Sequence, residues 1–218
     1  MKSKLEILKE NLEKLIKINP KGEYKIGRCL SLKEIELFET KNNIKLPEEY
    51  IEFVTKIGCF GFGPNEGLLP LNQYNDLGHR VLENDLTKEF PLTDKKEESE
   101  LHEYDSLMNG AILISDCGCG DSDILIINGA EYGNVWGDYR VSCNGIQPLL
   151  NDDKERLSFL DWYNSFVLKQ IKYYENYDLQ KKERLSEELE LNRISKSEKT
   201  LSPQVCKFKK SRLKFFIT

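Results

Sequence analysis

Histidine is almost missing from this chain: its 218 residues contain two, His79 and His102. With so little imidazole, a Ser-His or Cys-His nucleophile pair has few residues to draw on, and mixed Cys/His metal sites are short of ligands. Long apolar runs are missing too. The candidates "AILIS" and "DILIING" are broken by polar groups well short of the roughly 20 residues that a membrane-spanning helix needs. The N-terminal "MKSKLEILKENLEKLIKI" has neither a continuous apolar stretch nor a small-residue cleavage site, so no secretory signal is expected and the cytoplasm is the expected compartment. A C-x-x-C redox motif, a G-x-S-x-G elbow and the Lys-Ser/Thr ending of a phosphate loop are all absent. These gaps point away from membranes, cofactors and catalysis.

What the chain does have is charge, unevenly distributed. The net charge is −5. Residues 169–218 hold 13 Lys+Arg against 7 Asp+Glu, a net of +6, which leaves 19 against 30 over residues 1–168, a net of −11. An acidic body repels nucleic acid and membrane phosphates and speeds encounter with a basic partner. Six cysteines, at positions 29, 59, 117, 119, 143 and 206, are scattered through the chain and in a reducing compartment are expected to be thiols.

Apolar periodicity predicts a helix over 4–18, with Leu5, Leu8, Leu12, Leu15 and Ile16 on one stripe, and a second over 32–42 opened by the capping box "SLKE" of Ser31 and Glu34. "IKLPEEYIEFVTKIG" predicts a third. Pro47 suits its first turn, Glu48 and Glu49 complement the dipole, Tyr50, Ile51, Val54 and Ile57 form the stripe, and Gly58 stops it. A glycine-rich loop, "CFGFGPNEG", and a short strand or extended segment, "LLPLNQY", follow. The charged 91–108 reads as a mobile surface loop. Four short strands are expected near 111–115, 123–128, 134–139 and 145–150; with turn residues and no helix between them, they form an antiparallel meander. A closing helix begins near Ser158, carrying Phe159, Leu160, Tyr163, Phe166, Val167 and Ile171 on one face. It turns polar after Tyr177 and extends to about 194 before a Ser-Pro break. The fold class is α+β. One domain is expected over 1–178, with its core at 30–175, and a basic extension over 179–218.

The stretch with the most chemistry is "SDCGCGDSD". Cys117 and Cys119 stand one residue apart, whereas tetrahedral zinc sites usually take two pairs at C-x(2-4)-C, and no second pair exists. Asp116, Asp121 and Asp123 suggest calcium, but the alternating ligands and closing glutamate of a calcium loop are lacking. A hairpin turn with unusual backbone angles explains the same residues. Gly61, Gly63 and Gly67 lack the strand-to-helix setting of a phosphate loop. The terminal "CKFKKSRLKFF" interleaves basic and aromatic residues, but a solvated tail with a packed apolar end accounts for it.

Taken in order, "LPEEYIEFVTKIGCFGFGP", the glycine-cysteine turn, "GNVWGD" and "FLDWY" resemble the SUKH superfamily of Smi/Knr-like proteins. The matching positions are Leu46, Pro47, Tyr50 and Phe53, then Gly58, Gly63, Pro64, Leu69, Pro70 and Leu71. Cys117, Gly118, Gly133, Val135, Trp136, Asp138, Phe159, Leu160, Trp162 and Tyr163 complete the pattern. The resemblance implies an antiparallel sheet with helices packed around it and no enzymatic activity. It also implies an immunity protein that binds a cognate toxin, often a nuclease or deaminase, or, after the eukaryotic relatives, an intracellular interaction scaffold. On this reading no metal or cofactor is needed, and loop carboxylates at Glu66, Asp76, Asp116, Asp121 and Asp123 are expected to meet basic residues of the toxin.

Overall fold

The computed structural model describes residues 2–78, 84–97 and 106–200. Three short helices come first: α1 (Lys4–Ile18), α2 (Leu32–Asn42) and α3 (Glu48–Lys56). Two of them open on a closed capping box. Ser3 and Ser31 accept from the amides of Glu6 and Glu34, whose carboxylates return to the cap amides and satisfy donors that the helix itself cannot. α1 buries Leu5, Leu8, Leu12 and Leu15, while Ile16, one residue beyond that stripe, is 47% exposed. In α3 the buried residues are Tyr50, Phe53 and Val54; Phe53 takes the central place expected for Ile51 and Ile57, which are half-buried.

The strands β1 (Ala111–Gly118), β2 (Asp121–Ile126), β3 (Val135–Tyr139) and β4 (Gly145–Pro148) form the expected antiparallel meander, in the order β1-β2-β3-β4. The pairing of β1 with β2 slips twice, between Leu113 and Ser115 and between Asp116 and Gly118. Each slip leaves one extra residue, Ile114 or Cys117, as β-bulges do when they bend an edge strand and re-aim its side chains. The "DCGCGD" stretch is the hairpin turn. Gly118, Cys119 and Gly120 have φ of +83°, +55° and +96°, so both central residues, Cys119 and Gly120, are left-handed as a type I′ turn requires.

Both edges of this sheet are covered, which removes a template for pairing with other chains. On the β1 side, Leu69 N–H donates to the Ile114 carbonyl (2.9 Å) and Leu113 N–H to that of Tyr74 (2.7 Å). The segment "LLPLNQY" that makes these contacts forms a bridge at Leu68 and a 3-10 turn at Leu71–Gln73, not a regular strand. On the β4 side, Lys96 and Ile146 exchange two backbone hydrogen bonds of 2.8 and 2.9 Å. This corrects the expectation of a mobile loop over 91–108 at its described ends, 91–97 and 106–108. Phe90, Leu92 and Met108 are core residues, and the charges between them mask apolar anchors too widely spaced to show a period; residues 98–105 lie outside the described residues. A Cβ at Gly145 would fall 1.9 Å from the Lys96 carbonyl oxygen, so this strap requires glycine there.

One sheet face carries Ala111, Leu113, Ile124, Ile126, Trp136 and Ile146, packed with Phe90, Leu92 and Met108. The pleat sends the fully buried Ile112, Leu125 and Val135 to the other face. That face is tied to the last helix, α4 (Phe159–Thr200), whose Trp162 donates to Asp123. The N-terminal end of α4 is fixed by tertiary contacts: Glu49 accepts from Leu160 N–H (3.1 Å), while Lys4 binds Glu49 (2.9 Å) and Asp161 (2.6 Å). The chain divides into two units, Met1–Ile171 and Lys172–Thr218. In the second, α4 continues to Thr200, beyond the end expected near 194, and leaves Tyr173, Tyr177, Leu179, Leu185, Leu189 and Leu191 exposed. The Ser-Pro step and the "CKFKKSRLKFF" segment lie outside the described residues, as do His79 and His102.

Candidate functional site

Asp123 stands in β2 on the helix-facing side of the sheet and is 3% exposed. Its carboxylate gathers donors from four separate segments. Oδ1 accepts from the Tyr139 hydroxyl of β3 (2.7 Å) and, at 3.6 Å, from the Cys117 thiol; Oδ2 accepts from the Asn65 amide (2.9 Å) and the Trp162 indole N–H of α4 (3.1 Å). Four donors fill the roughly four lone-pair positions of a carboxylate. Local sequence explains how they converge. Asn65 takes a left-handed turn (φ +54°) that suits asparagine, and the bulge at Cys117 brings its thiol toward Asp123.

All of these donors are neutral. Among the described residues no Lys, Arg or His lies within ion-pairing distance of Asp123, so its charge is hydrogen-bonded but not neutralised. Burial accordingly raises the Asp123 pKa above the ordinary aspartate value, with the four hydrogen bonds opposing the shift. The neighbours respond as well: burial first, and then the Asp123 charge, push the Cys117 thiol and the Tyr139 phenol upward. A thiol held in its protonated form is a donor, not a nucleophile.

Above the carboxylate lies a cavity of about 340 Å³ whose walls include Leu149, Leu150, Leu157, Phe166 and Lys169. Of the five expected carboxylates only Asp123 lines it; Glu66 borders a separate pocket, and Asp116 and Asp121 stand at the ends of β1 and β2. Glu66 N–H donates to the Asp116 carbonyl (3.0 Å), which sets the glycine-rich loop against the β1–β2 turn that carries Asp121. Glu66 is exposed; Asp116 and Asp121 are half-buried, the first accepting from Gly118 N–H (2.7 Å) and the second from Ser142 N–H (3.2 Å). Asp76 is exposed and accepts from Gly78 N–H (2.6 Å), with no described contact to this group. Asp116, Asp121 and Asp123, expected as loop carboxylates, all fall within β1 and β2, and Asp123, at the head of the strand expected over 123–128, is also buried. It lies inside a strand beneath the cavity, since a carboxylate with four donors can be buried where an isolated one cannot. Sequence reasoning missed Asn65, Tyr139 and Trp162 as its partners. The signal was an aspartate opening an otherwise fully apolar strand run, "DILII".

Glycines in the preceding loop have a backbone role. Gly61 has φ +99°, and a Cβ there would meet the Lys25 carbonyl oxygen at 2.3 Å, so the loop is glycine-rich because two backbones cross closely.

The fold and this arrangement define an α+β domain whose buried polar centre, Asp123, underlies an open cavity. Residues 29–157, more than half of the chain, match the sequence model of the SMI1 / KNR4 family (SUKH-1), and the chain belongs to that family. Proteins of this family are commonly immunity proteins, are typically non-catalytic, and generally bind protein partners. No curated protein and no solved structure matched the chain. No helix among the described residues is long and apolar enough to cross a membrane.

Proposed function

We propose that this protein is a non-catalytic immunity protein that binds a cognate toxin in the cytoplasm and blocks it, the toxin being a contact-dependent or secreted one that acts on nucleic acid, such as a nuclease. Family membership supports the immunity reading. The observation that carries the choice of toxin is charge. A protein that handles nucleic acid presents Lys and Arg to phosphates, and residues 1–168 of this chain, at a net of −11, are suited to occupy those positions. On this reading Glu66, Asp116 and Asp121 form the surface that meets the toxin, with Asp76 as an outlying contact and Asp123 as the floor behind them. The binding domain spans 1–178, and the basic 179–218 is appended to it.

Co-expression with a candidate toxin drawn from the neighbouring genes tests this proposal. The expected result is survival and a co-purifying complex whose association slows at least tenfold at low salt when Glu66 and Asp121 are changed to Lys. No protection by the unaltered chain overturns the immunity reading, and unchanged kinetics in the double variant overturn the surface.

A scaffold role is the second reading, favoured by the exposed Leu179, Leu185, Leu189 and Leu191 on the second unit. Deleting residues 181–218 separates the two. Protection that survives the deletion supports the first reading, and loss of all partner binding supports the second.

A further inference from the structure

We infer that the cavity over Asp123 receives a single basic side chain, lysine or arginine, from a protein partner. The inference deepens the binding reading above by naming what the site accepts.

Three observations converge on this occupant. At about 340 Å³ the cavity lies near the lower limit of the roughly 300–1,000 Å³ typical of ligand sites, which suits one long side chain better than a cofactor. Its walls combine aliphatic surface from Leu149, Leu150 and Leu157 with the aromatic rings of Trp162 and Phe166. Such a lining buries the methylene stem of a basic side chain and offers ring faces to its cationic head.

The third observation is electrical. Buried charges are ordinarily paired, yet Asp123 is held by neutral donors alone. Its lone-pair positions are occupied, so an incoming cation need not form a fork with the carboxylate. It completes the site through the field of an unneutralised negative charge in a medium of low dielectric. Asp121, whose charge acts on Tyr139 of the lining, has the same sign and favours the same guest. The cavity's own lysine opposes it. Lys169 lines the wall, is exposed and makes no ion pair among the described residues. It acts as a weak resident competitor that a better-placed cation displaces.

The test uses the full chain and defined probes. The chain has two tryptophans, and their indole N–H groups report on different places. Trp162 donates to Asp123 inside the cavity, whereas Trp136 donates to Glu131 at 3.1 Å. In ¹⁵N-resolved spectra, titration with N-acetyl-arginine methylamide or N-acetyl-lysine methylamide is expected to move the Trp162 indole signal saturably and to leave that of Trp136 in place. The shift should weaken with added salt and be absent with the uncharged citrulline analogue. Whichever basic probe saturates at lower concentration identifies the preferred head group.

Lys169→Glu should tighten binding of the basic probes at least threefold. Asp123→Asn should weaken it at least tenfold, with the unmoved Trp136 signal reporting that the fold persists. No Trp162 shift up to tens of millimolar probe, or an equal shift with the citrulline analogue, overturns the inference. Weaker or unchanged binding in Lys169→Glu overturns the electrical part of it even if Asp123→Asn fails to fold. Because the probes are amino-acid derivatives, their failure beside intact protection from the toxin removes the cavity proposal and leaves the immunity reading standing.

Discussion

Two buried aspartates occupy opposite faces of the same sheet and have been accommodated in opposite ways. Asp138 in β3 is fully buried and meets the guanidinium of Arg140 through two parallel bonds, Nε to Oδ1 at 2.7 Å and Nη2 to Oδ2 at 2.8 Å. Asp123 on the helix-facing side is bound by a phenol, an indole, an amide and a thiol. The first charge is neutralised inside the protein. The second is only solvated by it. The contrast separates a structural carboxylate from one still available to a guest, a distinction that burial alone does not reveal.

The largest expected effect comes from breaking the neutralised pair. Arg140→Ala removes the guanidinium from a buried carboxylate, and loss of one partner of a buried pair costs about 3–5 kcal/mol. Urea denaturation at neutral pH should register this loss. Replacing both residues with apolar ones of similar volume should recover much of it, because no charge is then stranded. A loss below about 1 kcal/mol for Arg140→Ala would put Asp138 in the same class as Asp123.

Asp123→Asn should cost less, about 1–3 kcal/mol, because the amide keeps the shape and one acceptor while presenting a donor to groups that also donate. Its pH dependence is the sharper test. Burial lifts the folded-state pKa of Asp123 above its unfolded value. Stability from this group is therefore fully present below the ordinary aspartate pKa of about 3.9 and is lost as pH rises through the folded value. The advantage of the natural chain over Asp123→Asn should grow on acidification from pH 7 to 4. Glu34 behaves in the opposite way. Arg28, and then Ser31, lower its pKa to about 2. Its contribution is present above the unfolded glutamate value and is lost as pH falls from about 4.3 toward 2, so Glu34→Gln should flatten the acid limb.

Much of this architecture was readable in the chain, and the unread parts share a cause. α1, α2 and the Ser31 box were legible because their signals are local: a leucine every three or four residues, and a glutamate three residues after a serine. The meander was legible from apolar runs punctuated by Gly, Asp and Asn. The strap at 90–97 was not, since Phe90 and Leu92 are anchors defined by residues of all four strands further along the chain. Asp123 was picked out for its charge but expected at the surface rather than buried, because Asn65, Tyr139 and Trp162 lie 58, 16 and 39 residues from it. A carboxylate's surroundings are a property of the folded topology. The Cys117–Cys119 pair was readable as a turn in the backbone, but the role of Cys117 as a donor to Asp123 depends on a bulge that no local pattern announces.

The smallest expected effect reads the charge of Asp123 directly. Cys117 touches Asp123, and after burial that carboxylate is the main reason its thiol resists ionisation. Cys119 and Cys143 are exposed, whereas Cys117 is half-buried. In a variant with every other cysteine changed to serine, alkylation of Cys117 at about pH 8 should therefore be slow. Asp123→Asn removes the repulsion that disfavours the thiolate and should raise the rate severalfold, since the thiolate is the reacting species. Asp138→Asn, on the opposite face and originally paired with its own cation, should leave the rate unchanged. Equal rates in the Asp123 variant and its parent would mean that Asp123 already holds a proton. The two aspartates would then differ in partners but not in exposed charge, and the cavity would lose its attraction for a cation.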